Sequence, residues 1–221
     1  MTVQNVGDAP ETALGRAART LMGGGCIVYP TETFYALGAS VGSAKALERV
    51  NAIKGRPRSK PLPVIIGDMD QLAQVLDEDA ERWPGLDLAR ELMDRFWPGS
   101  LSIIVPARKD LPPQLLDARG CVSVRLTPHP QARQLCLAVG TPLAATSANV
   151  SGDPAVNDLG DLSPAVCLGA DYVLAGDPSP AGGQASTVLR PLKGREAVMY
   201  RAGAVPVETL VQAGVRLVEE A

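Results

Sequence analysis

Within residues 13–30 an amphipathic repeat, a glycine triplet and a short apolar run that stops at proline follow one another. That alternation limits what the chain can fold into. Ala13, Leu14, Ala17, Ala18 and Leu21 recur at helical spacing, and Gly23-Gly24-Gly25 ends the helix. Cys26-Ile27-Val28-Tyr29 then reads as a buried strand closed by Pro30. Ser43 caps a second helix whose predicted inward face is Ala44, Leu47, Val50 and Ile53. Leu62–Ile66 reads as a strand, Asp68 caps a helix through Leu72, Val75 and Leu76, and residues 86–96 and 130–139 are helical. Further strands are expected at Leu101–Val105 and Cys121–Arg125, and near Leu143–Ala145, Tyr172–Leu174, Thr187–Leu189 and Ala197–Tyr200. Pro206 suits the first turn of a last helix. Early alternation followed by closely spaced strands predicts one α/β domain with a mixed parallel and antiparallel sheet flanked by helices.

Composition narrows the chemistry. Four cysteines form no C-x-x-C pair and His129 is the only histidine, which argues against structural zinc, a disulfide framework or a two-histidine catalyst. Net charge is −3 and aromatic residues make up 4%, so any nucleic-acid role needs a local basic patch. No apolar run is long enough to cross a membrane, and Met1–Asp8 carries no basic stretch followed by an apolar one. Unpaired cysteines with no export signal predict a cytoplasmic protein, in which the sequon Asn149-Val150-Ser151 has no meaning.

One stretch runs against the acidic average. Arg49 to Gly67 holds five basic residues and no acid. Pro57 and Pro61 bar a regular helix there, so Lys54, Arg56, Arg58 and Lys60 can project to one side of an extended segment as a row of cations suited to phosphates. A solvated basic loop is the alternative, and spacing alone does not separate ATP from RNA. Thr146-Ser147-Ala148-Asn149-Val150-Ser151-Gly152 follows a strand, where α/β sheets place ligands, although an empty Asx turn fits the same residues. Tyr29–Gly38 reads as a polar loop in which Glu32 serves as a base, holds a metal through water, or satisfies backbone donors of the turn. Trp97-Pro98-Gly99-Ser100-Leu101-Ser102 forms another candidate stretch, and Gly182–Thr187 is a turn bearing two hydroxyls. Arg125 stands at a strand end, where it binds a carboxylate or faces solvent, and His129 between two prolines reads as structural. No Walker or dinucleotide-binding glycine motif occurs.

In order, Pro30-Thr-Glu-Thr33, Lys54-x-Arg56, Trp97-Pro-Gly99, Ser123-Val-Arg125, Ser147-Ala-Asn149 with Ser151-Gly152, Ser186-Thr187 and Arg201-x-Gly203-Ala204 resemble the L-threonylcarbamoyladenylate synthase (YrdC-like) family over roughly residues 13–205. The resemblance implies a twisted α/β sheet with a concave cationic groove, in one domain spanning 1–221. It implies synthesis of threonylcarbamoyl-AMP and pyrophosphate from L-threonine, bicarbonate and ATP with Mg2+. The product would serve N6-threonylcarbamoylation of adenosine 37 in tRNA, through a downstream tRNA threonylcarbamoyl transferase machinery. On these positions Lys54 and Arg56 are the expected catalytic cations, and Arg56, Lys60, Cys121, Asn149 and Arg201 the nucleotide contacts. Thr33, Arg125, Ser147 and Ser186 are expected to form the threonine and carbamate pocket. Ala36, Ser100, Ser102, Ile65 and Arg190 depart from the family pattern, and the chain ends soon after the synthase region, before the further domain of longer members. An RNA-binding module with weak RNA contacts, or a paralogue making a different acyl adenylate, are the competing readings. Neither a metal-ligand cluster nor a membrane partner is expected.

Overall fold

The computed structural model describes residues 12–57 and 59–220. The expectations for Met1–Asp8 and for Arg58 lie outside the described residues. In chain order the elements are α1 (Ala13–Met22), β1 (Ile27–Pro30), β2 (Tyr35–Gly38), α2 (Ala44–Lys54), β3 (Val64–Ile66), α3 (Leu86–Phe96), β4 (Leu101–Pro106) and β5 (Cys121–Leu126). They continue with α4 (Pro130–Val139), β6 (Leu143–Ala144), β7 (Thr146–Ser147), α5 (Pro164–Gly169), β8 (Tyr172–Val173), β9 (Thr187–Pro191), β10 (Glu196–Arg201), α6 (Val207–Gln212) and β11 (Arg216–Val218).

The strands form two sheets rather than one. A four-stranded sheet runs β7-β2-β1-β8, and a seven-stranded sheet runs β11-β10-β9-β4-β5-β3-β6. Both mix parallel and antiparallel pairs, and the late β9–β10 pair is antiparallel as the short connection predicts. β2 is the element the polar-loop reading of Tyr29–Gly38 overlooks. It is buried along its whole length and pairs antiparallel with β1, so residues 31–34 are the tip of a hairpin. A strand buried on both faces has no polar–apolar alternation to reveal it. Gly38 is required for packing, because a Cβ there would lie 1.7 Å from the Ala144 carbonyl oxygen in the neighbouring sheet.

Two other expectations shift. The buried stripe of α2 is Ala46, Leu47, Val50, Asn51 and Lys54, with Ala44 exposed, so the helix is rotated and carries a lysine into the interior. After Asp68, whose carboxylate accepts from the Gln71 amide at 3.1 Å, only a short 3-10 turn forms over Asp70–Gln74. The chain then leaves the helix because the Val75 carbonyl accepts from Arg108 N at 2.9 Å and Leu76 bridges Ala107. Tertiary pairing outcompetes a short helix whose own bonds are few.

The core lies where these layers meet. On β5, Val122, Val124 and Leu126 pack inward with Ile103 and Val105 of β4, and truncating a fully buried Leu such as Leu37 to Ala costs about 2–5 kcal/mol. Cys121, Ser123 and Arg125 alternate to the other face of β5, which the sheet presents to the ligand side. That alternation aims Arg125 at the site.

Candidate active site

A cavity of about 160 Å³ opens between the two sheets. Thr33, Tyr35 and Ser147 line it from the hairpin and β7, and Ser102, Arg125, Ser186 and Arg201 line it from the large sheet and its loops. Arg56 reaches it from the segment after α2, and also lines a neighbouring cavity of about 420 Å³ beside Asn51 and Gln114. The structure therefore brings together Thr33, Arg56, Arg125, Ser147, Ser186 and Arg201, contributed by widely separated parts of the sequence.

Each guanidinium is fixed by partners. The Arg56 side chain donates from Nε to the Lys60 carbonyl at 3.1 Å and from Nη2 to the Pro61 carbonyl at 3.0 Å, which folds the proline-bounded segment around it. Arg201 donates from Nε to the Ser186 carbonyl at 2.8 Å and from Nη2 to Ser186 Oγ at 2.9 Å. Ser186 Oγ lies 3.0 Å from Ser102 Oγ, so the two hydroxyls form one hydrogen-bonded chain with Arg201. Gly203 makes this possible, since a Cβ there would sit 2.1 Å from the Ala185 carbonyl oxygen. Burial lowers the pKa of Arg56, and burial together with the charges of Arg125 and Arg201's other neighbour Arg56 lowers that of Arg201. Both remain cations at any ordinary pH, so their mutual repulsion raises the site's affinity for an anion.

Arg125 is held differently. Its Nη1 donates to Glu32 Oε1, and both side chains are largely buried. The same carboxylate accepts from Ser100 Oγ at 3.1 Å and, through Oε2, from Thr127 Oγ1 at 3.1 Å. Burial raises the Glu32 pKa, but the Arg125 charge and these hydrogen bonds outweigh it and hold the carboxyl below its ordinary value. Glu32 is thus an ionised anchor for Arg125, a role the sequence reading did not single out among its three for this residue. The wall it belongs to is braced in turn, with Ala181 N and Gly182 N donating to the Glu32 and Thr33 carbonyls at 3.2 and 2.7 Å.

The remaining expected residues stand elsewhere. Lys54 is 2% exposed and does not line the cavity. Its Nζ donates to the Ser147 carbonyl, to the Asn149 carbonyl at 2.6 Å and to Asn149 Oδ1 at 3.3 Å, so three acceptors meet three N–H bonds. Burial and the neighbouring Arg56 push its pKa down to about 8. Lys54 thereby ties α2 to the 147–149 turn. The Asn149 amide donates to the Val150 and Asp153 carbonyls at 2.9 and 2.7 Å, which closes the Asx turn. Lys60 is exposed and meets Arg56 through its carbonyl. Cys121 lies at the opposite end of β5 from Arg125, in another cavity. Ser102 belongs to the candidate stretch Trp97–Ser102 but was not placed in the expected pocket; on β4 its hydroxyl lines the cavity.

Comparison with known proteins agrees with this architecture. A family profile described as "Telomere recombination" (Sua5–YciO–YrdC) matches residues 19–203. A protein of Nitrosococcus oceani named threonylcarbamoyl-AMP synthase is 36% identical over 167 residues, covering 76% of this chain and 87% of that protein. One of the same name from Bacillus subtilis is 37% identical over 145 residues, covering 65% of this chain and 40% of the relative. Among solved structures, P. abyssi Sua5 complexed with L-threonine superposes with a TM-score of 0.82 at 29% identity, covering 93% of this chain and 58% of that one. E. coli YciO gives 0.76 at 25% identity, covering 92% and 95%. This chain thus spans less than two thirds of the B. subtilis and P. abyssi relatives but nearly all of YciO. By the extent of the profile match and the N. oceani relative, the chain belongs to the Sua5–YciO–YrdC family.

Proposed function

We propose that the chain is a threonylcarbamoyl-AMP synthase. The observation that carries this is the convergence of three guanidiniums, Arg56, Arg125 and Arg201, with several hydroxyls on one small cavity against a single carboxylate, Glu32. The names of the N. oceani and B. subtilis relatives and the L-threonine complex of P. abyssi Sua5 support the same reading.

In this reading L-threonine occupies the cavity beside Thr33, Ser147 and Ser186, with its carboxylate on Arg125. Its amine nitrogen adds to the carbon of bicarbonate, water leaves, and a carbamate forms. A carbamate oxygen then attacks the α-phosphorus of ATP, the bond to the bridging oxygen breaks, and pyrophosphate departs. Both reactants are anions, so the protein's contribution is to neutralise and align them. Arg56 and Arg201 take the phosphates, with Lys60, Cys121 and Asn149 on the nucleotide side. Lys54 acts as a positioning residue that sets the Ser147 and Asn149 turn. No group of three metal-ligating side chains exists among the described residues, and both Glu32 oxygens already accept hydrogen bonds, so the described residues offer no cage for Mg2+. The ion expected with ATP would be held by the nucleotide's own phosphates, and no step above depends on it. The product would pass to a tRNA threonylcarbamoyl transferase machinery in the cytoplasm, and residues 1–221 are read as one synthase domain. No helix among the described residues is long and apolar enough to cross a membrane.

Pyrophosphate release from ATP is the deciding measurement. It should require both L-threonine and bicarbonate, and fall by about 10²–10³ in Arg56→Ala, as loss of one placed electrostatic contact does. Release that proceeds equally without threonine would assign the chain to a different acyl adenylate.

A further inference from the structure

The ligand-facing side of the large sheet extends past the cavity. Val188 pairs with Ser102, and Ser102 and Arg125 both line the cavity, so this end of the face walls the site. Ser123 pairs with Ile104 and Cys121 with Pro106, and each step of two residues carries the face roughly 7 Å along the strand. These rows lead to a second cavity of about 390 Å³, whose walls include Ile104, Cys121, Arg119, Arg190 and Lys193.

The chain's own Glu220 supplies an anion at this end. Glu220 Oε1 accepts from Arg119 Nη1, from Arg190 Nη1 at 3.1 Å and from the Tyr200 hydroxyl. Arg119 also pairs with Asp117 at 2.7 Å. Arg119 and Arg190 share Glu220, Asp117 pairs with Arg119, and Lys193 lines the same cavity, so removing Glu220 raises the summed charge of these five groups from +1 to +2. All three donors fall on one carboxylate oxygen, an arrangement that a group with several charged oxygens satisfies better. Glu220 and Arg119 are each 39% exposed, so the contact is screened and readily exchanged.

We propose that Arg119, Arg190 and Tyr200 form a second anion subsite that accepts a condensed-phosphate group, with Glu220 as its displaceable internal occupant. The subsite lies on the same face as the cavity, two such steps along β5 at the Cys121 end, where pyrophosphate released from the cavity is the expected source of its ligand. Only that identification of the ligand's source rests on the synthase reading.

Titration calorimetry of the full chain with inorganic pyrophosphate, without threonine or turnover, tests the subsite by itself. Glu220→Gln should bind pyrophosphate about fivefold more tightly, the equivalent of releasing one exposed ion pair. The gain should vanish in Glu220→Gln combined with Arg190→Ala, while thermal melts confirm that both variants fold. Binding within twofold of the unmodified chain overturns the proposal. So does a gain that survives Arg190→Ala, which reports only the removal of a distant negative charge. Failure of the synthase reading would instead appear as threonine-independent pyrophosphate release and would leave this titration unchanged.

Discussion

Two arginine–glutamate contacts stand on one face of the large sheet and behave as opposites. Arg125 and Glu32 have side chains 8% and 15% exposed, and the carboxylate is saturated by a guanidinium and two hydroxyls. Arg190 and Glu220 are 22% and 39% exposed. The chemistry of the pair is the same in both places; burial decides what it does. In the dry pocket neither charge can leave without stranding the other, so the pair is architecture. At the exposed end water and salt compete for both partners, so the pair is exchangeable.

Breaking the buried contact gives the largest expected effect. Glu32→Ala should destabilise the fold by about 3–5 kcal/mol, because Arg125 is left as an unpaired buried charge, and denaturant unfolding measures it. The pH dependence separates anchoring from packing. Since the Glu32 carboxyl lies below its ordinary value of 4.5 in the fold, its contribution is present above pH 4.5 and lost as pH falls through the lowered value. Glu32→Gln should flatten that acid limb and raise the KM for threonine more than it lowers kcat. If the limb and the KM are both unchanged, Arg125 does not depend on Glu32 for its position.

Lys54 sharpens the comparison as a buried cation with no carboxylate partner in its contacts. Lys54→Met leaves the Asn149 carbonyl without its donor, while the Ser147 carbonyl keeps Asn149 N at 2.9 Å, at a cost of about 1–3 kcal/mol for the buried group left unsatisfied. The folded pKa of about 8 lies below the ordinary 10.5, so between these values the unfolded chain binds more protons. Stability should therefore rise with pH across that window in the unmodified protein, and this contribution should be missing in Lys54→Met. Turnover should decline above about pH 8 as the third N–H bond to the turn is lost. An unchanged alkaline stability slope in Lys54→Met would contradict this burial argument.

The exposed contact sets the smallest effect. Glu220→Gln should alter unfolding free energy by about 0–1 kcal/mol, the range of solvent-exposed pairs, with no change in the pH 4–5 region that Glu32 governs. A loss as large as that of Glu32→Ala would mean that the 216–220 segment is as fixed as the hairpin, and the contrast would fail.

Local patterns carried much of the architecture. α3 and α4 occur at the residues that their periodicity and flanking Pro or Gly predict, and Ser43 accepts from Ala46 N at 3.4 Å as an N-cap should. Arg56, Arg125, Ser147, Ser186 and Arg201 were recognisable because short motifs preserve their spacing. β2 was hidden by complete burial, and the helix expected after Asp68 was overridden by pairing of Leu76 with Ala107.

By itself the sequence determined where most of the longer helices lie, where several of their caps fall, and which polar groups belong to one chemistry. Those properties depend on neighbours within a few positions along the chain. Only the tertiary structure decided that Glu32 anchors Arg125 across 93 residues, that Lys54 turns inward to the 147–149 carbonyls, and that Glu220 meets Arg119 and Arg190. Charge partners and burial are set by what the fold brings close and keeps from water, and neither distance nor desolvation is written in sequence separation.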